Sequence, residues 1–328
     1  MTQKFGALFH ARNMEFLRDR GTLIWNIAFP VILVFGFAFA FSGGSETLFT
    51  VGVLQADGEA DGSALAFLEL EHIEVVTYGD REAALGKLRH HQIDMLVDQA
   101  GGSYFVNEGS ANSYMTEQLF GALHGQDFRR EVVSGRPIRY VDWFVPGLIG
   151  MNMMFSGIFG VGFVIVRYRK NGVLKRLKAT PVTAFEFAAA QVASRFVIVV
   201  VTSVVVFTAT NLILDFMMLG SYLSLLLILM MAVLCMISFG LVFATRIKSE
   251  EFAGGLMNLV TLPMIVLSGV FFSLEGSPEI VQTVSKVFPL THFIDGARSV
   301  MLDGATLIDI APNILILGAF TIGFLMLT

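Results

Sequence analysis

Long runs of apolar residues without any Asp, Glu, Lys or Arg dominate this chain. Each run is close to or above the roughly 20 residues that an α-helix needs to cross the hydrocarbon core of a membrane. The pattern predicts a polytopic α-helical membrane protein whose six transmembrane helices lie in the runs Gly21–Ser45, Trp143–Val166, Phe196–Leu214, Phe216–Thr245, Phe252–Leu274 and Ile310–Thr328.

The first apolar run has two interpretations. Ala38-Phe39-Ala40 is similar to the small-residue cleavage site of a signal peptide, but a core of about 20 apolar residues is longer than the roughly 7–15 of a signal sequence. We therefore favour a retained transmembrane helix over residues 21–42. In residues 1–20, Phe and Leu interleave with Lys and Arg, which predicts an amphipathic helix on the inner membrane surface, with a frayed tail as the alternative.

Residues 43–140 are the one water-soluble segment, and their alternating pattern predicts a small α/β domain. Its adjacent His90 and His91 would point in different directions on a helix, so surface histidines are favoured over a metal site and no metal is predicted. The predicted strands are Leu48–Leu54, Ile73–Tyr78, Ile93–Val97 and Ser103–Asn107, and the predicted helices are Ser63–Leu70, Arg81–His91 and Ala111–Val133.

Charge on the connecting segments predicts the orientation. The loop Arg167–Glu186 has six Lys or Arg and one acid, whereas residues 43–140 have seven Lys or Arg and fifteen Asp or Glu. Because positive loops stay in the cytoplasm, both termini and the loop 167–186 are expected inside, and residues 43–140 and 275–309 outside. The net charge of −5 averages two faces of opposite sign, so no nucleic-acid partner is expected.

Composition agrees with a membrane location, since 55% of the residues are hydrophobic and 15% are charged. The sequence has no P-loop, zinc-protease or serine-hydrolase motif, so no catalytic residue is nominated and the chain alone is not expected to be an enzyme. Asp142, Asp215 and Arg195 lie near the predicted helix ends, which disfavours an ion-coupled carrier. Energy is then expected from a separate cytoplasmic subunit.

The basic inner loop is suited to meeting such a subunit. Asn171–Leu177 predicts a short helix with Val173, Leu174 and Leu177 on one face and cations around it, ending at Thr180-Pro181. Thr183-x-x-Glu186 matches a capping box that begins the next helix. The alternative is a loop that only touches anionic lipid.

Several segments together resemble the permease subunit of a type-2 ABC exporter across essentially the whole chain. They are FHARNMEFLRDRGTLIW, a proline-bearing first span, the outer domain, WFVPGLIGMNMMFSGIFGVGF, RKNGVLKRLKATPVTAFEF and FPLTHFIDGARSVMLDG. The flank Arg169-Lys170-Asn171 is cationic where many members of that family carry acids, so individual ATPase contacts are not carried over.

The resemblance implies that two permeases, in a homodimer, work with two cytoplasmic ATPase subunits. Those subunits would hold the ATP and Mg, leaving no cofactor on this chain, and the bacterial inner membrane would be the location. The implied coupling helix, seated on the ATPase, comprises Lys170, Asn171, Gly172, Val173, Leu174, Lys175, Arg176, Leu177 and Lys178.

The second and fifth spans resemble the translocation-path helices of the same family. Asn152, Ser156 and Gly160 recur every four residues, a spacing that lets helices approach closely. Ordinary contacts between helices are the alternative. The residues nominated as the substrate path are Asn152, Phe155, Ser156 and Phe159 in the second span and Asn258, Thr261, Ile265 and Ser268 on one face of the fifth, with Phe272 beyond them.

Residues 275–309 include a predicted amphipathic helix after Pro289. The resemblance implies a re-entrant outer gate there, for which we nominate Phe288, Phe293 and Ile294, and a surface helix is the alternative. The sequence thus predicts an exporter permease for a hydrophobic or amphiphilic substrate such as a drug or lipid. A membrane sensor or scaffold with a ligand-binding outer domain is the alternative function.

Overall fold

The computed structural model divides the chain into two compact units, Met1–Ala40 with Tyr140–Thr328, and Phe41–Arg139. We refer to them as the helical unit and the α/β unit. The structure describes residues 2–18, 27–28, 30–32, 34–35, 49–54, 66–70, 72–124, 128–135, 137–247, 249–272 and 278–328.

The described helices and strands are numbered in chain order. They are α1 (Thr2–Arg18), β1 (Phe49–Leu54), a 3₁₀ turn (Ala66–Glu69), β2 (Ile73–Tyr78), α2 (Arg81–Arg89), β3 (Met95–Asp98), β4 (Ser103–Asn107), α3 (Ala111–His124), β5 (Arg129–Val133), α4 (Tyr140–Lys170), α5 (Val173–Leu177), α6 (Ala184–Leu214), α7 (Tyr222–Arg246), α8 (Glu250–Leu267), α9 (Glu279–Ser285), α10 (Pro289–Leu302) and α11 (Ala311–Met326).

Four helices of the described chain are long and apolar enough to cross a membrane, namely α4, α6, α7 and α8, and α11 is a shorter apolar helix. The predicted first span over residues 21–42 falls largely outside the described residues. α6 begins at Ala184, at the predicted capping box, and so extends ahead of the predicted third span. One predicted boundary was wrong, because α8 ends at Leu267, before a turn at Gly269 with φ of +70°.

Glycines bring α4 and α7 into close contact. A Cβ at Gly240 would lie 2.8 Å from the Ile158 carbonyl oxygen, and a Cβ at Gly157 would lie 2.8 Å from the Met236 Cβ. Residues 158–163 of α4 form a π-helical turn at this contact. The second span is therefore closely packed, as its small residues predict, with Gly157 against α7 and Gly160 of the predicted row against Arg195 of α6.

The α/β unit contains a five-stranded sheet in the order β2-β1-β3-β4-β5. β1 pairs in parallel with both β2 and β3, β3 and β4 are antiparallel, and β4 and β5 are parallel. One apolar cluster includes Phe67 and Phe120 and another includes Leu88 and Phe105. The side of the membrane on which this unit lies stays a prediction.

The predicted helix over Ala111–Val133 was wrong in its second half. α3 ends at His124, and Arg129–Val133 instead forms β5, paired with β4 from Ser103↔Arg129 to Asn107↔Val133. The alternating exposure of Arg129–Val133 fits an edge strand with one face covered. The predicted helix at Ser63–Leu70 lies partly outside the described residues, and its described part is the 3₁₀ turn.

α10 buries the apolar face that the sequence predicts. Phe293, Ile294, Ala297, Val300 and Met301 are all almost fully buried, and α10 packs on α4, α7 and α11. In this conformation the chain itself covers this face, so α10 is not a surface helix, and its role as an outer gate stays a prediction.

Candidate functional site

A cavity of about 540 Å³ lies between α1, α4 and α6. The four path residues predicted on the second span line it, and arginines from three helices reach it. Its lining includes Arg12, Glu15 and Phe16 from α1, Leu148, Met151, Asn152, Phe155, Ser156, Phe159, Gly160, Phe163, Val164 and Arg167 from α4, and Ser194, Arg195 and Ile198 from α6. We call this space the inner cavity.

Arg195 crosses from α6 onto α4 at the inner cavity. Its Nε donates to the Ser156 carbonyl oxygen at 2.7 Å, and its guanidinium lies 5.8 Å from the centre of the Phe16 ring. A Cβ at position 160 would collide with this guanidinium, so Gly160 is what allows Arg195 to lie across α4. The prediction that Arg195 lies at a helix end was wrong, because α6 begins eleven residues before it.

Arg12, Glu15 and Tyr168 form a polar cluster at one edge of the inner cavity. The Tyr168 hydroxyl donates to Glu15 Oε2 at 2.6 Å, and Arg12 Nη1 lies 2.7 Å from the same oxygen. Burial raises the pKa of Glu15, but hydrogen bonds from Tyr168 and Arg12 and the nearby positive charges outweigh it and hold the pKa below its usual value. Glu15 is therefore ionised and balances one of the arginines.

No local sequence pattern indicates this cluster, since Glu15 and Tyr168 are 153 residues apart along the chain. A second long-range contact joins α1 to α6, because the Ser194 hydroxyl lies 2.6 Å from Asn13 Oδ1. α1 is thus packed on the helical unit through polar as well as apolar contacts. Its location at the membrane surface stays a prediction.

α5, the predicted coupling helix, follows directly from α4. Gly172 is its N-cap with φ of +71°, in the left-handed region that favours glycine. The nine predicted coupling residues form one surface segment. Lys170, Asn171, Lys175, Arg176 and Lys178 are exposed, and Gly172, Val173, Leu174 and Leu177 are partly buried.

The apolar residues of α5 do not form one outward surface. Val173 and Leu177 line a second cavity of about 360 Å³ together with Leu8, Phe187 and other residues of α1 and α6. Leu174 does not line that cavity. The predicted single docking face of Val173, Leu174 and Leu177 is therefore corrected, because two of its members face the chain's own helices.

Ion pairs and hydrogen bonds to backbone carbonyls fix the segment that directly precedes α5. Lys170 Nζ lies 2.8 Å from Glu251 Oε1 and 3.0 Å from Glu250 Oε2, at the start of α8. Arg169 donates to the carbonyl oxygens of Ala244 and Ile247 at 2.8 and 2.7 Å. The base of α5 is thus connected to α7 and α8 as well as to α4.

The predicted capping box at the start of α6 is confirmed. The Thr183 hydroxyl accepts from the Glu186 backbone N–H at 3.2 Å, and Glu186 Oε2 accepts from the Thr183 backbone N–H at 2.9 Å. The cap begins α6 five residues after Lys178. A short connection therefore joins α5 to α6, a helix that lines the inner cavity.

The predicted path residues of α8 lie apart from those of α4. Thr261, Ile265 and Ser268 are buried, whereas Asn258 and Phe272 are exposed, and none of the five is among the described residues lining the inner cavity. Asn258, Thr261 and Ile265 are spaced to share one face of α8, whereas Ser268 and Phe272 lie beyond its end, and their role in a substrate path stays a prediction. Ser268 instead contacts Thr291 of α10, with 3.0 Å between their hydroxyl oxygens.

The predicted outer-gate residues lie at the start of α10. Phe288 is its N-cap and is partly buried, and Phe293 and Ile294 are buried inside the helical unit. Arg298 of the same helix lies 3.5 Å from the Trp143 ring centre and donates to the Gly269 carbonyl oxygen at 2.8 Å. α10 is thereby fixed to α4 and to the end of α8.

Comparison with known proteins identifies the family. Residues 20–328 match the model of the ABC-2 family transporter proteins, and the chain belongs to that family. The resemblance of the chain to type-2 ABC permeases, which rested in part on the inner loop and the FPLTHFIDGARSVMLDG segment, is thereby confirmed for the family as a whole.

Curated relatives carry related descriptions. The chain is 24% identical over 187 residues to the probable multidrug ABC transporter permease YbhS of Escherichia coli K12, covering 57% of this chain and 50% of the relative. It is 29% identical over 180 residues to the inner membrane transport permease YhhJ of the same strain, covering 53% and 48%. It is 24% identical over 173 residues to the linearmycin resistance permease protein LnrN of Bacillus subtilis 168, covering 52% and 45%.

The chain spans about half the length of these relatives. Together with the apolar helices, family membership makes it a multi-pass membrane protein of the transport-permease class. Permeases of this family normally work with an ATPase subunit.

Proposed function

We propose that this chain is the transmembrane subunit of an ATP-driven exporter that moves a hydrophobic or amphiphilic substrate out of the cytoplasm or the inner leaflet. The main observation that supports this proposal is the inner cavity, whose largely apolar lining includes residues of α4 and α6, the two helices that flank α5. A force applied to α5 would reach both walls at once. The chain would bind no nucleotide, since ATP and Mg would lie on a separate subunit.

The exposed cations of α5 support contact with that subunit. Lys175, Arg176 and Lys178 are exposed around one helical turn, and Leu174 provides an apolar contact outside the cavity that holds Val173 and Leu177. A compact basic surface with one apolar side chain suits a groove on another protein, where charge speeds association and apolar burial adds affinity.

The working unit is proposed to contain two permeases in a homodimer. α8 supports this arrangement because its outward face is apolar, with Leu259, Leu262 and Val266 more than half exposed. A second copy of α8 or membrane lipid would cover that face. The proposed location is a bacterial inner membrane, with both termini and α5 in the cytoplasm and the α/β unit outside.

Co-purification tests the proposal. The chain, isolated from its native membrane in mild detergent, should bring with it a P-loop ATPase that hydrolyses ATP. Leu174→Asp should leave the amount and monodispersity of the chain unchanged but lower the retained ATPase and its activity, because it puts a carboxylate into an apolar contact. Leu307→Asp, at an exposed leucine of the predicted opposite face, is the matched control.

If the chain purifies without an ATPase, the exporter function is refuted and a sensor or scaffold built on the α/β unit takes its place. Equal loss of ATPase in Leu174→Asp and Leu307→Asp would refute the role of α5 alone.

A further inference from the structure

Positive charge is in excess around the inner cavity. Its described lining contains three arginines, Arg12, Arg167 and Arg195, and one carboxylate, Glu15. Glu15 pairs with Arg12 at 2.7 Å. Within the described part of the chain, no carboxylate lies within ion-pair distance of Arg195, whose one hydrogen bond there joins Nε to the Ser156 carbonyl oxygen.

This arrangement leaves the terminal guanidinium nitrogens of Arg195 without a described acceptor at an apolar cavity. A charged group within a membrane span is costly, and such groups are retained where they serve a pathway or a ligand. Arginine also offers a planar pair of N–H donors, which matches the paired oxygens of a carboxylate or phosphate. A cationic ligand would be repelled here.

The remaining wall suits a hydrocarbon chain. Phe16, Phe155, Phe159, Phe163 and Met151 line the same cavity as the arginines. Its volume of about 540 Å³ is within the range that holds drug-sized ligands. Aromatic and methionine side chains adapt to flexible apolar groups. One site thus presents a cationic end and an apolar end.

We infer that the inner cavity binds an amphiphile with an anionic headgroup, a carboxylate or a phosphate, which Arg195 holds through its terminal nitrogens. Arg12 and Arg167 add positive charge, and the phenylalanines take the hydrocarbon. Arg195 lies eleven residues into α6, about 16 Å along the helix from its start. In the proposed orientation this is the depth at which an inner-leaflet headgroup meets its acyl chain.

The inference that this ligand is a transported substrate rests on the proposed function, but its binding can be measured on the chain alone. The probe is dodecanoic acid with a fluorescent nitrobenzoxadiazole group at the tail, and its methyl ester is the neutral counterpart. Fluorescence polarisation would be recorded with the purified chain in dodecyl maltoside. The acid should bind at least about tenfold more tightly than the ester, the value of one charge-assisted hydrogen bond.

Arg195→Gln should remove most of this preference while leaving ester binding unchanged. Arg246→Gln is the matched control, because Arg246 also ends at a carbonyl oxygen, that of Leu327, but lies outside the cavity. Arg195→Lys tests the geometry in a variant that keeps the charge and should retain part of the preference. Size-exclusion profiles and melting temperatures would show that each variant is folded.

Two competitors identify the source of the anion. Displacement of the probe by dodecyl phosphate alone supports a single-chain substrate, and displacement also by phosphatidylglycerol supports a bilayer lipid. Equal affinity for acid and ester, or an equal loss in Arg195→Gln and Arg246→Gln, would overturn the inference. If the chain strongly prefers the acid but has no ATPase partner, the anion-binding site is supported and the exporter function is refuted. If an active ATPase complex forms but shows no preference for the acid, the exporter function is supported and the anion-binding site is refuted.

Discussion

Replacing Gly240 with alanine tests the close backbone contact between α4 and α7. A Cβ there would lie 2.8 Å from the Ile158 carbonyl oxygen, 3.0 Å from Ile158 Cα and 3.1 Å from the Gly157 carbonyl oxygen. All three are backbone atoms, so no side chain can rotate away and α4 and α7 must separate. Overpacking of this kind costs about 1–3 kcal/mol.

Gly255→Ala supplies the control. Gly255 lies inside α8, and a Cβ added there would have no heavy atom within 4 Å. Both variants gain about 0.5–1 kcal/mol from the helix preference of alanine over glycine. Since that gain is common to both, their stabilities should differ by the packing cost alone, about 1–3 kcal/mol.

The single cysteine provides the assay. Cys235 is buried on α7, five residues before Gly240, so its reaction with a maleimide dye in mild detergent reports separation of the helices. Each kcal/mol of destabilisation raises the open population about fivefold. Gly240→Ala should therefore label at least about fivefold faster than Gly255→Ala. Equal labelling rates would refute the packing argument.

Two further predictions concern α6 and the α/β unit. Thr183→Ala removes one half of the capping box and should destabilise the start of α6 by about 1 kcal/mol, seen as faster amide exchange over the first turn of α6. Burial raises the pKa of Asp94, and this effect outweighs the hydrogen bond from the Thr50 N–H, which lowers it. The folded state therefore binds the Asp94 proton more tightly than the unfolded state does. As a result, the free energy of unfolding falls as the pH rises from 3.8 through the raised pKa. Asp94→Asn should flatten the pH dependence of amide protection in β1, and an unchanged slope would contradict it.

Local signals were sufficient for several elements. The strands Ile73–Tyr78 and Ser103–Asn107 were predicted with their observed bounds, because alternation and flanking turns are short-range features. The capping box at Thr183 and Glu186 was also predicted correctly. It needs only four consecutive residues, and its two hydrogen bonds depend on nothing distant.

Long-range contacts account for what the sequence did not reveal. β5 was missed because Arg129–Val133 becomes a strand by pairing in parallel with β4, a partner that no local pattern identifies. The inner cavity forms only where α1, α4 and α6 meet. The four α4 residues that line it were predicted as substrate path, but Arg12 and Arg195 from the other two helices were not. Arg195 was placed near a helix end because it directly precedes the uncharged run at Phe196, although the predicted cap at Thr183 already begins the helix at Ala184.

The central claim is that α5 contacts a separate ATPase subunit, and photo-cross-linking tests it most directly. A benzoylphenylalanine at Lys175, which is exposed on α5, should capture in native membranes a protein whose peptides include a P-loop. The same group at Ile308, which is 83% exposed on the predicted outer side, should not capture it. Capture of no ATPase from position 175, or equal capture from both positions, would contradict the account.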